Sequence, residues 1–297
     1  MTTLLLTGAG GPAGKALGRQ LQGSGLRLVG VDMVELDPDV AALFDRTVVV
    51  PRADAPDFLP VVSRLARQEH VDLVISSVQE ELPHMAAAAP LFDVPVVISG
   101  AGAVGLAQDK LLTMSALRRA GVPTPWTAAW SDAAGGDLPP APLVVKPRFS
   151  RGGRGVVVVD DLVDLSAAGD LSCIVQGFAG GDEYAVQVYR SPHEGASASE
   201  VVVLEKTALK EGRTGNAVGV RRLANEAAPD VADVAERAIV ALGVVGPADV
   251  DVRRDEHGHP LVLEVNARFG ANSEHAPELL RRVLDDYLPR ARTEAVA

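Results

Sequence analysis

Near the C-terminal end of the chain, Glu264, Asn266 and Arg268 recur at every second position after an apolar run. On a β-strand, residues two apart share a face. Glu264 and Asn266 therefore aim two oxygen groups at one point. Asp251, on a preceding run, can meet them across a hairpin turned at Gly258. Hard oxygen donors of this kind suit Mg²⁺ held against phosphate oxygens. Arg268, next on the same face, can clamp a phosphoryl group in transfer. The plain alternative is a polar strand face. Leu261, Val262, Leu263 and Val265 read as buried, however, and a carboxylate inside a core needs a partner or an ion.

A second group centres on Lys146, which ends an apolar strand and is followed by Pro-Arg-Phe-Ser-Arg-Gly-Gly-Arg-Gly. A glycine loop between two strands can fold over phosphates and offer them its N–H groups. Lys146 supplies a point charge at its base, and Lys110 can supply another. The alternative is a surface hairpin with solvated arginines. The N-terminal run TGAGGPAG is a weaker signal. Such a turn places amides at a helix start, which suits an anion, and Asp32 ends the next strand. A short-chain dehydrogenase would need a tyrosine with a lysine four positions on. Tyr184, Tyr189 and Tyr287 all lack one. A structural turn and a substrate contact both stay open for this run.

These groups need elements to position them. Over the first third, strands at 3–7, 26–32, 47–50, 71–76 and 94–98 alternate with helices at 8–22, 56–68 and 83–89. That alternation implies a doubly wound parallel sheet. A helix at 108–120 stops at Gly121, with Pro123 beyond. A Pro/Gly/Ala-rich link at 133–142 marks a boundary. Strands at 143–145 and 156–159 then flank the glycine loop as a hairpin. Further strands fall at 173–176, 184–189, 201–206, 250–254 and 261–265, with helices at 231–242 and 278–288. Many hairpins and few helices predict an antiparallel α+β region.

Composition narrows the classes. The 297 residues carry 47% hydrophobic and 23% charged side chains but 4% aromatics, so Val, Leu and Ala must build the cores. A net charge of -11 without a Lys/Arg cluster argues against nucleic acid as partner. Cys173 is the one cysteine, which excludes an internal disulfide and a Cys metal cage. It lies in an apolar run and reads as a core residue. The N-terminus lacks signal-peptide character and no stretch is long enough to span a bilayer, so the expected location is cytoplasmic.

With these motifs in view, the chain resembles the ATP-grasp superfamily, which includes D-alanine–D-alanine ligase, biotin carboxylase and the large chain of carbamoyl phosphate synthetase. The likeness spans nearly the whole sequence. Asp109-Lys110 followed by Ala120-Gly121-Val122-Pro123 looks like the opening of the grasp fold. The resemblance implies a Rossmann-like domain over 1–105 and an ATP-grasp domain over 106–297, with lobes near 106–180 and 181–297. It implies ATP with Mg²⁺ or Mn²⁺ as cofactors. Lys110 and Lys146 would hold phosphates under a lid of Ser150, Arg151, Gly152, Gly153, Arg154 and Gly155. Gln176, Gly177, Phe178 and Ala179 would meet adenine, and Glu183 the ribose. Gln176 stands where many relatives carry Glu, but an amide oxygen still accepts from the adenine amino group. Asp251, Glu264 and Asn266 would bind the metal, and Arg268 the γ-phosphate and acyl phosphate.

The activity implied is a carboxylate–amine ligase working through an acyl phosphate. Its partners would be a small carboxylate and an amine, with a homodimer by analogy. The stretch 210–216 could close over the substrates, with Arg213 as a catalytic and substrate contact or a solvated residue. Asn272 and Ser273 are candidate substrate contacts. His257 and His259 read as a solvated hairpin tip, and His275 as a helix start. The rival classes are an ATP-dependent kinase and a non-catalytic ATP-binding subunit.

Overall fold

The computed structural model describes residues 1–133, 137–193, 199–224 and 226–288. Five short strands, β1 (Thr3–Thr7), β2 (Arg27–Asp32), β3 (Arg46–Val49), β4 (Leu73–Ile75) and β5 (Val96–Val97), pair in parallel in the order β3-β2-β1-β4-β5. Helices α1 (Pro12–Leu21), α2 (Pro38–Ala41), α3 (Phe58–Gln68) and α4 (Leu82–Ala88) run between them. Every residue of β1 is buried, as a strand covered on both faces requires. The strand order reverses between β1 and β4, which leaves a crevice at their C-terminal ends.

The helix expected over 108–120 is α6 (Lys110–Arg119), and it is preceded by α5 (Ala101–Gln108), which the sequence did not signal. Asp109 divides them. Its Oδ1 accepts from the Leu111 and Leu112 amides at 3.0 and 3.3 Å. Such a cap satisfies amides that have no intrahelical partner. Arg148 ion-pairs with the same carboxylate and so fixes the start of α6.

A second, antiparallel sheet holds β6 (Thr127–Ala129), β7 (Leu143–Pro147), β8 (Val157–Val159) and β9 (Cys173–Gly177) in the order β6-β9-β7-β8, with α7 (Trp130–Ala133) after β6. β7 and β8 form the expected hairpin. Leu143, Val145, Cys173 and Val175 share a small core of their own. Residues 134–136 of the expected link at 133–142 lie outside the described residues.

The third sheet is antiparallel, in the order β12-β11-β10-β13-β14. Its strands are β10 (Glu183–Arg190), β11 (Ser199–Leu209), β12 (Ala217–Arg222), β13 (Gly246–Arg254) and β14 (Pro260–Asn266). Alternation sorts its faces. Val186, Val188, Val250 and Val252 point into a core under α8 (Pro229–Leu242). Ala185, Tyr189, Val202 and Leu204 point the other way. They join a core shared with Leu4 and Leu6 of β1 and with Leu279, Leu280 and Val283 of α9 (Pro277–Tyr287). The first and third sheets are thus welded through one apolar interior.

Two details depart from expectation. β11 is longer than 201–206 and pairs with β12, which the sequence did not signal because Gly219, Arg221 and Arg222 blur its alternation. A bulge between Asp251 and Val252 shifts the β13–β14 register. It puts Val262 and Val265 in the core and leaves Leu261 and Leu263 only half-buried. Among the described residues, no helix is long and apolar enough to cross a membrane.

Candidate active site

The end of the third sheet that α9 leaves uncovered meets the second sheet and the crevice of the first around a cleft of about 720 Å³. Strand register assembles one wall. Asp251 stands opposite Glu264, and Asp249 opposite Asn266. Glu183 stands between Lys206 on one side and Arg253 on the other. The Lys206 ammonium reaches Glu183 Oε1 and Asp251 Oδ1, each at 2.7 Å. Burial alone would depress that ammonium, but Asp251 and Glu183 together hold it above its ordinary range.

Two further lysines come from the opposite side. Lys110, on α6, donates to the Ser150 carbonyl at 2.7 Å and stands 3.4 Å from Glu264 Oε1. Lys146, on β7, donates to the Leu263 carbonyl at 3.2 Å. Burial pushes the Lys146 ammonium down to about 8; Glu264 opposes the fall and Lys110 adds to it. Arg268 leaves the end of β14 with Nη2 bonded to Asn266 Oδ1 at 3.2 Å and Nη1 to the Phe269 carbonyl at 2.8 Å. Burial, then the neighbouring Asp251, pushes the Asp249 carboxyl up to about 6.

The residues fit a divalent cation. Asp251, Glu264 and Asn266 offer two carboxylates and one amide, all hard oxygens; Lys206, Lys110 and Arg268 stand against these oxygens, and an ion would take their place. Among the described residues, no group of three or more His, Cys, Asp or Glu side chains is arranged to hold a metal. An ion held here would complete its shell with ligand and water oxygens, which is how Mg²⁺ is commonly bound.

The remaining walls come from the second sheet and two loops. Gln176, Gly177, Phe178 and Ala179 line the cleft beside Glu183. Gln176 is buried and its amide donates to Thr127 Oγ1 at 3.0 Å. The Gly177 and Phe178 amides are bonded to the Trp126 and Pro142 carbonyls, so a ligand there meets the other polar groups of this segment. Ser150, Arg151, Gly152, Gly153 and Arg154 border the cleft, and Arg151 pairs with Glu80, which follows β4 of the first sheet, at 2.5 Å. Thr214, Gly215 and Asn216 face this flap across the opening.

Three expected contacts do not reach the cleft lining. Arg213 is held on the outside by Asp160 at 2.9 Å and lies over the Phe178 ring. Gly155 serves the turn: its φ is 72°, and a Cβ there would stand 2.9 Å from the Pro147 ring. Ser273 is buried, with its hydroxyl spent on the Gly270 carbonyl at 2.7 Å, whereas its neighbour Asn272 borders the cleft. The turn after β1 also lines the cleft, through Gly8 and Gly10, together with Asp32 at the end of β2.

Sequence reading missed Asp249, Lys206 and Arg253. Asp249 had a signal, because it stands two positions before Asp251 on one strand face. Lys206 had none, since only sheet register sets it between two acids from other strands. Glu81 was also missed. It is buried at the crevice and accepts bonds from Thr7, Ser76 and the Ser77 and Val78 amides. Burial pushes its carboxyl up.

A parallel sheet joined to two antiparallel sheets, with lysines and acids opposed beneath two loops, frames this cleft. The family model of the ATP-grasp domain matches residues 107–272, and the chain belongs to that family. The D-alanine–D-alanine ligase of Pseudomonas entomophila (strain L48) is 28% identical over 60% of this chain and 59% of its own length. The chain thus spans about three fifths of the length of the curated relatives it matches. Among solved structures, an L-amino acid ligase from Bacillus licheniformis superposes with a TM-score of 0.72 at 23% identity, covering 93% of this chain and 69% of that one. An N5-carboxyaminoimidazole ribonucleotide synthetase from Thermotoga maritima gives 0.69 at 18%, covering 97% and 77%. At these identities the two structures speak for the fold.

Proposed function

We propose that the protein is an ATP- and Mg²⁺-dependent ligase that joins a small carboxylate to an amine and releases ADP and phosphate. The observation that carries this reading is the opposition of Lys110, Lys146 and Arg268 to Asp251, Glu264 and Asn266 in one cleft. The domain division at 105/106 and the site roles given above belong to the same reading.

Asp251, Glu264 and Asn266 would hold the Mg²⁺ ion, which when bound neutralises phosphate charge. Lys110 and Lys146 hold the triphosphate, and the segment 176–179 with Glu183 holds the nucleoside. An oxygen of the substrate carboxylate attacks the γ-phosphorus, the bond to the β-phosphate oxygen breaks, and ADP forms. Arg268 steadies the phosphoryl group during transfer. The amine nitrogen then attacks the acyl carbon, phosphate departs with the bonding electrons, and the nitrogen releases its proton. The flap at 150–155 and the residues at 214–216 keep water from the acyl phosphate.

The test is an ADP-release screen against pooled amino and carboxylic acids, with mass analysis of products. An amide formed together with ADP and phosphate is expected. Glu264→Gln should lower turnover about 10²-fold or more while the fold persists. A phosphorylated acid that never becomes an amide would establish the kinase instead, and nucleotide binding without turnover the regulatory subunit.

A further inference from the structure

Gln176 and Thr127 stand opposite each other where β9 pairs with β6, and Val144 of β7 stands on the other side of Gln176. Directly paired residues share a sheet face. Gln176 therefore lies on the face of Val144 and Lys146, which borders the cleft, and not on that of Val145 and Val175, which fills the small core. Gln176 is 2% exposed. Its Nε2 donates to Thr127 Oγ1 at 3.0 Å, and the Thr127 hydroxyl donates to the Pro125 carbonyl at 3.0 Å. Among the described residues nothing donates to Gln176 Oε1. Unlike the sealed oxygens of Gln79 and Gln187, this oxygen retains open surface.

The direction of this chain of bonds follows from its far end. A carbonyl can only accept, and Pro125 is buried, so the one hydroxyl proton of Thr127 is committed there. Toward Gln176 the hydroxyl can then only accept, and it takes the nitrogen of the amide rather than the oxygen. The oxygen is what remains for a ligand. A carboxylate at this position would show oxygen to a bound base whichever way it turned. An amide needs its direction fixed, because its two ends read opposite partners. The oxygen suits an amino group at C6 of a purine, as in adenine. A turned amide would show N–H groups and suit an oxygen at C6, as in hypoxanthine.

We infer that Thr127 is the positioning residue behind the choice of nucleotide: by holding the Gln176 amide in one direction, it makes the cleft take 6-amino purines and refuse 6-oxo purines. The inference rests on the ligase reading, in which the segment 176–179 meets the base.

The test compares ADP with inosine diphosphate, a 6-oxo purine nucleotide, by calorimetry with Mg²⁺ present. Wild type should prefer ADP. Thr127→Val keeps the shape of the side chain and removes the hydroxyl, which frees the amide to turn. The preference should then fall about 10-fold, the worth of a hydrogen bond made against one refused, with ADP bound more weakly and inosine diphosphate more tightly. Thr127→Ser retains the hydroxyl and should retain the preference. Thr127→Ala also lacks the hydroxyl, should behave as Thr127→Val does, and carries the test where the valine variant does not fold. Gln176→Glu supplies a second arm: its side chain ends in two oxygens, so adding Thr127→Val to it should leave the preference unmoved. Equal weakening of both nucleotides in Thr127→Val makes Thr127 a packing residue of β6 and overturns the inference. The same fall in the Gln176→Glu background, or a wild type that binds both nucleotides alike, overturns it too. Failure of the wild type to bind either nucleotide removes the ligase reading, and the inference with it.

Discussion

At the scale of single residues, the cleft stores charge in pairs that a ligand must rearrange. Lys146 illustrates the sign of the effect. Its folded pKa of about 8 lies below the ordinary 10.5, because burial disfavours the charged form. Between these values the unfolded chain binds the proton more firmly, so this group's contribution to stability rises as pH climbs through that window. A bound phosphate favours the ammonium and restores its proton. ADP binding at pH 8.5 should therefore take up part of a proton, measurable by calorimetry in buffers of different ionisation heat, and Lys146→Met should abolish the uptake. Lys206 is the structural counterpart. It is the shared partner of two half-buried acids, and Lys206→Met should cost about 1–3 kcal/mol, because Asp251 loses its cation while Glu183 keeps Arg253. Added Mg²⁺ should return part of the lost Tm; an unshifted melting curve for this variant would count against the shared-cation picture.

At the scale of elements, what was legible in the sequence follows from range. Glu264, Asn266 and Arg268 could be read because their spacing alone puts them on one strand face. The parallel sheet could be read because each of its strands carries its own apolar run. The bulge at Asp251, the pairing of β11 with β12 and the place of Lys206 depend on register between strands far apart in sequence. No local pattern encodes them. α6 was legible, since Asp109 is a good cap residue, whereas α5 was not, because Gly102 and Gly105 interrupt its pattern. Arg213 stayed open between substrate contact and solvated residue because a loop cation has no periodicity to fix its direction; Asp160 draws it outward. The flap supplies a prediction at this scale. Gly153 has φ of 73°, and a Cβ there would stand 2.9 Å from Gly215 Cα. Gly153→Ala should strain the two facing loops and weaken ADP binding about 10-fold. Because these loops lie outside the hydrophobic cores, Tm should hardly move. A large fall in Tm would show that they support the fold rather than the ligand.

At the scale of the whole molecule, the three sheets are tied together unequally. The first and third share an apolar interior, reinforced by Tyr189 bonded to Asp286 and Arg222 paired with Glu278 of α9. The second sheet keeps its own small core, and its link to the first sheet's loops at the flap is the partly exposed pair Arg151–Glu80. Exposed pairs of this kind contribute about 0–1 kcal/mol, so they restrain little. Closure on a nucleotide should therefore move the second sheet against a rigid body formed by the other two. The sequence provides a reporter, since both tryptophans, Trp126 and Trp130, flank β6. The Trp126 carbonyl also receives the Gly177 amide in the segment assigned to adenine. Adding ADP and Mg²⁺ should shift tryptophan emission, and Trp126→Phe should remove most of the change. Hydrogen exchange should slow at 150–155 and 214–216 and stay constant in β1 and β4, which are buried in the shared interior. Slowed exchange spread through the parallel sheet, or silent tryptophans at a nucleotide concentration where calorimetry shows binding, would mean that the molecule closes about a different hinge.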